Sequence, residues 1–206
     1  MSDTPTGNSI TLLLPAGRIP LTLIQTVHDL AGQYGFELYL SLSQNLRLLG
    51  VPGSAVDEVK KELTALGAVF KGEENFPLPR VCVGKPHCNL GLIDTAQLSK
   101  KILTHFADRE KTKGKLLISI AGCTIGCPWT KNSDISIVAS RAGFNMYVGG
   151  KGGPIPRVAR RIKCKISEDE VLEVLDRLIA FHDEKTKSKQ RMYKLLDDPD
   201  FPYPAV

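Results

Sequence analysis

The residues of this chain best suited to chemistry are its cysteines. Four of the five fall in two pairs, Cys82-Val-Gly-Lys-Pro-His-Cys88 and Cys123-Thr-Ile-Gly-Cys127, with 34 residues between the pairs. Both pairs follow short apolar segments that read as strands, and glycine lies close to each (Gly84, Gly122, Gly126). An iron–sulfur cluster needs thiolates converging on one cube and backbone amides able to turn toward its sulfides; glycine-rich turns after strands supply both. A zinc ribbon would hold roughly two to four residues inside each pair, which the longer gap between Cys82 and Cys88 fits poorly. The compact ferredoxin run of closely spaced cysteines is absent as well. The bland alternative is a set of separately buried thiols, since free cysteine is among the most buried residue types. Two glycine-flanked pairs favour a metal centre. Cys164 has no place in that scheme and reads as structural.

The rest of the composition sets the context. At 206 residues, 42% hydrophobic and 24% charged, the chain has an ordinary globular composition and can bury a real core. No stretch of about 18 uninterrupted apolar residues is present, so no membrane span is expected. The opening Met-Ser-Asp-Thr-Pro-Thr-Gly-Asn-Ser-Ile shows no basic and apolar leader pattern, and the expected location is the cytoplasm. In that compartment, cysteines serve more often as metal ligands or reduced thiols than as disulfides, and an odd number cannot pair fully within one chain.

Charge is unevenly spread. Residues 1–76 carry five Lys/Arg against eight Asp/Glu, whereas the remainder carries 22 against 14. The densest basic stretch contains Lys151, Arg157, Arg160, Arg161, Lys163 and Lys165 with no acid among them. Such a patch suits a polyanionic ligand, or is simply a solvated face. Aromatic residues make up only 6%, and no nucleic-acid module is recognisable, so a nucleic-acid partner is not expected.

These residues must be positioned by the elements around them. Residues 9–14 read as a strand, and a helix follows with Pro20 in its first turn. Strands at 36–40 and 45–49 are split by the polar Ser43-Gln44-Asn45, and Ser54 is the expected N-cap of a helix to about Leu66. With a strand starting at Val69, the order is that of a ferredoxin-like α+β unit. Lys71 to Pro79 reads as a linker, which places domains at 1–76 and 77–206. In the second, a strand leads into Cys82 and a helix runs from Asp94 to Phe106, capped by Asp94 or Thr95. Strands are expected at 115–121, 135–139 and 145–148. Ser167 and Glu170 form a capping-box pattern opening a last helix to about Lys187, and the proline-rich tail is expected to be draped or loose.

The cysteine pattern, set in Ile-Ser-Ile-Ala-Gly-Cys-Thr-Ile-Gly-Cys-Pro (118–128), resembles that of the siroheme-dependent nitrite and sulfite reductases. So does Gly-Phe-Asn-Met-Tyr-Val-Gly-Gly-Lys-Gly-Gly (143–153), similar to that family's glycine-rich strand end. Many members contain two such halves; this chain is similar to the small, single-repeat, assimilatory-type members. The resemblance implies a ferredoxin-like half-domain followed by an α/β domain that binds a [4Fe–4S] cluster and a siroheme. It implies Cys82, Cys88 and Cys123 as cluster ligands and Cys127 as the ligand shared with the siroheme iron. Lys151, Arg157, Arg160 and Arg161, with the amides of Gly149 and Gly150, are the implied partners of the siroheme carboxylates.

The implied reaction is the six-electron reduction of sulfite to sulfide or of nitrite to ammonium. A ferredoxin-like or other low-potential donor supplies the electrons, and the small oxyanion is bound by cationic groups. Arg80, Lys115 and Arg47 are the candidates for that role. Three positions depart from the family pattern: Ser43 stands where Arg is usual before Gln44, Leu117 where a second Lys is usual after Lys115, and Ile125 where Asn is usual. These favour an alternative, a non-catalytic electron-transfer or siroheme-binding protein. A homodimer that mimics the two-half members is a further expectation, and a zinc-stabilised nucleic-acid binder ranks last.

Overall fold

A computed structural model describes residues 7–72, 76–109, 116–186 and 190–206, and the chain divides into two compact units, Met1–Gly72 and Glu73–Val206. Lys115, at the start of an expected strand, lies outside the described residues.

The first unit contains β1 (Asn8–Leu13), α1 (Leu21–Tyr34), β2 (Glu37–Leu40), β3 (Asn45–Val51), α2 (Val56–Ala65) and β4 (Val69–Phe70). Its sheet order is β2-β3-β1-β4, with every neighbouring pair antiparallel, which is the expected ferredoxin-like arrangement. One face is apolar: Ile10 and Leu12 on β1 and Leu46 and Leu48 on β3 share a core with Leu23, Val27 and Leu30 of α1 and Val59 and Leu63 of α2. α1 stops at Gly35, whose φ of 72° lets its N–H reach back to Ala31 O. Ser54 is not the cap of α2. The backbone already coils from Pro52, in a single tight turn over Gly53–Ala55, so the hydroxyl of Ser54 sits before the true start and makes no capping bond. Asp57 and Glu58 in the first turn complement the helix dipole instead.

The second unit contains β5 (Arg80–Val81), α3 (Thr95–His105), β6 (Ile118–Ala121), β7 (Ile135–Ser140), β8 (Gly143–Val148), β9 (Arg160–Ile166) and α4 (Glu168–Lys185). The sheet runs in chain order, β5, β6 and β7 parallel and β8 and β9 antiparallel. Its two faces differ. Register pairs Ile118 with Ile135, Ile137 with Met146 and Ile135 with Val148, forming an apolar face. α3 packs on β5 and β6, and α4 on β8, with Val171, Val174, Leu175, Leu178 and Ile179 buried at helical spacing. The other face carries Ser119 and Ser136, whose hydroxyls bond each other at 2.9 Å, and Ser136 also bonds Thr130 O. A loop, residues 122–134, covers that face where a parallel sheet usually has a helix. This loop is the one that carries Cys123 and Cys127.

α3 and α4 lie side by side, joined by Lys101 to Glu168 and Asp169 (3.0 Å each) and His105 to Asp176 (2.8 Å), with Arg109, just beyond α3, to Asp183 (2.7 Å). α4 opens with the expected capping box, Ser167 Oγ accepting from Glu170 N–H and Glu170 accepting from Ser167 N–H. Ser167→Ala should therefore cost about 1 kcal/mol, read as a lowered thermal midpoint with unchanged fold.

The tail is draped rather than loose. Met192, Leu195 and Tyr203 are buried, and Val206 N–H bonds Arg161 O at 3.0 Å. Its prolines exclude regular elements, but the aromatic and aliphatic side chains between them find a place on the second unit. No helix among the described residues is long and apolar enough to cross a membrane.

Candidate metal centre

β5 and β6 are adjacent parallel strands, Val81 opposite Ile120, so the residues that follow them emerge at the same edge of the sheet. Cys82 follows β5 directly, and Cys123 follows β6 after Gly122 alone. The two loops are tied together by backbone. Leu92 N–H donates to Gly122 O at 2.8 Å, and Gly122 N–H donates to Cys82 Sγ at 3.1 Å. The first loop folds back on itself through Lys85 N–H to Ile93 O (2.8 Å) and Gly91 N–H to Cys88 O (3.0 Å). Cys82, Cys88 and Cys123 are partly exposed, Cys127 is exposed, and none is in a disulfide.

The close approach of these loops depends on missing side chains. A Cβ on Gly122 would lie 3.4 Å from Cys82 Sγ and 3.1 Å from the Thr95 methyl. Gly84 has a φ of 58°, and a Cβ there would meet Thr95 Oγ1 at 2.6 Å and Ile93 O at 2.9 Å. Gly84→Ala should thus displace the loop that carries Cys88, with a loss of a few kcal/mol, about 2 or more, in chemical denaturation and weaker iron retention. Thr95, expected as a possible helix cap, has a different task. Asp94 caps α3 by accepting from Ala96 and Gln97 N–H, and Thr95 Oγ1 donates to Cys82 O at 2.5 Å.

Four thiols on two knitted loops, with an amide aimed at one sulfur, make a donor set suited to an iron–sulfur cube, whose thiolates each hold a different iron. Among the described residues, no three His, Cys, Asp or Glu side chains gather around a point suitable for a single metal ion. Cys164, on β9, is exposed and separate from these loops.

The cations expected to act on ligands fall in several places. Arg47, on β3 of the first unit, donates to Ser9 Oγ at 2.9 Å on the sheet face away from the helices. Arg80 opens β5 beside the cysteine loop, its guanidinium 5.5 Å from the centre of the Trp129 ring. Burial, and then the neighbouring Arg191 guanidinium, push its pKa down from the ordinary arginine value. Lys151 and Arg157 pair backbone to backbone, and both cations lie over the ring of Tyr193, at 5.1 and 5.2 Å. Arg160 and Arg161 face the tail: Arg160 lies 4.8 Å from the Phe201 ring, and Arg161 Nε donates to Val206 O at 3.1 Å. The N–H groups of Gly149 and Gly150 bond Asp134 O and Ser133 O, both at 2.8 Å. A Cβ on Gly149 would collide with Leu196, and one on Gly150 with Lys131 O and Ser133, so both glycines serve close packing.

Sequence reasoning missed the hub of this region. Asp134 is fully buried at the end of the Cys123/Cys127 loop and accepts from Leu117 N–H (2.9 Å), Met192 N–H (2.9 Å) and Arg191 Nε (2.8 Å). Arg191 also donates to Gly150 O at 3.1 Å. Burial raises the Asp134 pKa, while Arg191 and the two amides pull it down; burial wins.

A profile described as "Nitrite and sulphite reductase 4Fe-4S domain" matches residues 78–201, and one described as "Nitrite/Sulfite reductase ferredoxin-like half domain" matches residues 2–66. The chain belongs to the nitrite and sulfite reductase family. Within it, the chain is similar to "Sulfite reductase, assimilatory-type" of Nitratidesulfovibrio vulgaris, 23% identical over 207 residues covering 96% of this chain and 94% of that one. It is also similar to "Nitrite reductase (NADH) large subunit" of Escherichia coli, 26% identical over 172 residues, 82% of this chain. That match spans only 20% of the relative's length, and the other nitrite reductases matched are spanned to a similar extent. Among solved structures, the NirA protein of Mycobacterium tuberculosis superposes with a TM-score of 0.77 at 20% identity, over 91% of this chain and 37% of that one. Dissimilatory sulfite reductase I superposes with a TM-score of 0.76 at 15% identity, over 90% of this chain and 65% of that one. Both share the fold.

Proposed function

We propose that this chain is a siroheme- and [4Fe–4S]-dependent reductase that carries sulfite to sulfide or nitrite to ammonium, with Cys82, Cys88, Cys123 and Cys127 holding the cluster. The observation that carries the proposal is the joining of the two cysteine loops at the ends of β5 and β6, through Leu92 to Gly122 and Gly122 to Cys82. When bound, the cluster and siroheme supply single electrons in succession at one site. Cys127, the most exposed of the four thiols and the last in sequence, is the ligand shared with the siroheme iron.

The chain's own residues then have separable tasks. Gly122 N–H, through its bond to Cys82 Sγ, holds that sulfur in place as a ligand. Lys151 and Arg157, ordered over Tyr193, receive carboxylates of the macrocycle. Arg160 fits the same role, because its Nε is buried without a hydrogen-bond partner among the described residues and a carboxylate would satisfy it. Arg161 holds the tail in place. Arg80, half withdrawn from water beside Trp129, binds the oxyanion more strongly than a solvated cation would. Arg47 and Lys115 remain proposed as anion-binding cations. Electrons arrive from a ferredoxin-like, low-potential donor, and the cytoplasm is the proposed location.

One observation favours the second reading, a carrier that no longer turns over an anion. Ile125, between Cys123 and Cys127, is 67% exposed, placing an apolar group where the family pattern has a hydrogen-bonding one. The test is oxidation of reduced methyl viologen by anaerobically prepared protein. Sulfite- or nitrite-dependent oxidation, with a red chlorin-type absorption band, supports the reductase. The band without turnover supports the carrier, and its absence rejects the siroheme assignment.

A further inference from the structure

Position 129 holds a tryptophan in a backbone conformation that tryptophan disfavours. Its φ is 57°, in the left-handed region that glycine and asparagine enter easily and a bulky side chain does not. The turn around it is built to keep that conformation. Trp129 O accepts from Asn132 N–H at 2.8 Å and from Ser133 Oγ at 3.3 Å. The next residue, Thr130, is buried, and its carbonyl accepts from Ser136 Oγ. Gly126 packs so closely on Thr130 that a Cβ would lie 2.6 Å from its Oγ1. A glycine at 129 would serve this turn with less strain, so the turn alone does not account for the indole.

The indole faces Arg80, whose guanidinium lies 5.5 Å from the ring centre. Burial, and then the repulsion of Arg191, disfavour the charge on Arg80. Arg191 is the fixed member of this pair of cations, held on Asp134 Oδ1 at 2.8 Å and on Gly150 O at 3.1 Å. The side chain of Arg80 is therefore the one that would swing away. An aromatic face attracts a guanidinium through its quadrupole without neutralising it and without using its in-plane N–H fork. A carboxylate in the same place would order Arg80 but cancel the charge that an anion needs.

We infer that Trp129 is the positioning residue for Arg80, holding its guanidinium ready for a small oxyanion such as sulfite or nitrite. The inference rests on the assignment of Arg80 to the oxyanion made above, and it adds the group that fixes Arg80 in place. The two residues belong to different segments: Arg80 opens β5 ahead of Cys82, and Trp129 follows Cys127. Their contact ties the cation to the second cysteine loop. An arginine already ordered before the anion arrives loses less freedom on binding it, so the anion is held more tightly.

The experiment is titration calorimetry of sulfite, and separately of nitrite, into the full cofactor-loaded chain in its oxidised form, with iron and sulfide counted on each sample. Trp129→Gly removes the ring and suits the left-handed backbone, so the turn is kept. It should weaken anion binding by about tenfold, and Arg80→Met by at least as much. Trp129→Phe, which restores a ring, should bind within about threefold of the unaltered chain. The double variant Trp129→Gly/Arg80→Met should bind no more weakly than Arg80→Met alone, because the ring acts only through the guanidinium. If Trp129→Gly does not load its cofactors, Trp129→Asn takes its place in the cycle, since asparagine also tolerates this backbone. Additive losses in the double variant would overturn the inference. So would unchanged affinity without the ring while Arg80→Met weakens binding. Unchanged affinity in Arg80→Met, or an unaltered chain that binds neither anion, is a different outcome, which removes the oxyanion role of Arg80 itself and this inference with it.

Discussion

Cys82→Ser should leave the purified chain with essentially no iron, against roughly four iron atoms and four sulfides for the loaded unaltered protein. The reason is local. Cys82 follows the end of β5 directly, and its sulfur accepts the Gly122 N–H at 3.1 Å across the two loops. A serine hydroxyl at this position is a harder and far less acidic ligand, so one corner of the cube is lost. The apo variant should fold, because the backbone tie from Leu92 to Gly122 and the sheet beneath it do not require the sulfur. Iron and acid-labile sulfide analysis, with circular dichroism as the control on folding, reads both parts. The equivalent change at Cys164 should leave iron content unaltered, since that residue lies on β9 away from the loops.

Arg191→Met should lower stability by about 3 kcal/mol or more at neutral pH, a large part of what holds a domain together. The change leaves the Asp134 carboxylate fully buried with only the Leu117 and Met192 amides as donors. Burial already holds the pKa of Asp134 above its ordinary value, and loss of the guanidinium would raise it further. The sign of the pH dependence follows. In the variant the folded state binds a proton that the unfolded state has released, so the deficit is complete above the raised pKa. It shrinks as pH falls through that value toward the ordinary carboxylate range, where both states are protonated. Chemical denaturation at a series of pH values measures this directly, and a deficit that grew on acidification would contradict the assigned role of Arg191. Because Asp134 sits at the end of the Cys123/Cys127 loop, the variant should also retain its iron less well.

Much of this arrangement was legible in the sequence, and the reasons it was legible or not are physical. The cysteine pairs stood out because thiolates at strand ends, with glycines beside them, suit a metal centre far better than a packed apolar core. The ferredoxin-like unit was readable because most of its elements have a local signature: a short apolar run at β1, a proline at the start of α1 and a polar turn between β2 and β3. Ser54 misled because serine caps only where the chain is still extended, and here the coil begins at Pro52. β9 was hidden because Arg160, Arg161, Lys163 and Lys165 occupy its outer positions, leaving only Ile162 and Ile166 buried. The tail could be read no further than draped or loose, because proline removes regular structure without preventing burial; it is draped, and Tyr203 ends with 6% of its surface exposed.

The Asp134–Arg191 pair was the least accessible of all. Its partners are separated by 57 positions, and neither belongs to a motif. Nothing local in the sequence distinguishes an aspartate that is buried on an arginine from one that faces water. The same limit applies to the cations. Lys151, Arg157, Arg160 and Arg161 look alike as a basic run, yet two are ordered over Tyr193, one lies over Phe201 with a buried Nε, and one holds the chain terminus. Their division of labour is set by where the tail aromatics come to rest.

The central claim is that Cys82, Cys88, Cys123 and Cys127 enclose one iron–sulfur cube, and the most direct measurement is low-temperature EPR of the anaerobically purified chain before and after reduction, with iron and sulfide counted on the same sample. Roughly four iron atoms and four sulfides per chain are expected, with a cluster signal on reduction that disappears in Cys82→Ser. Iron-free protein that binds a single zinc ion, or a cluster signal that survives in Cys82→Ser, would contradict the claim.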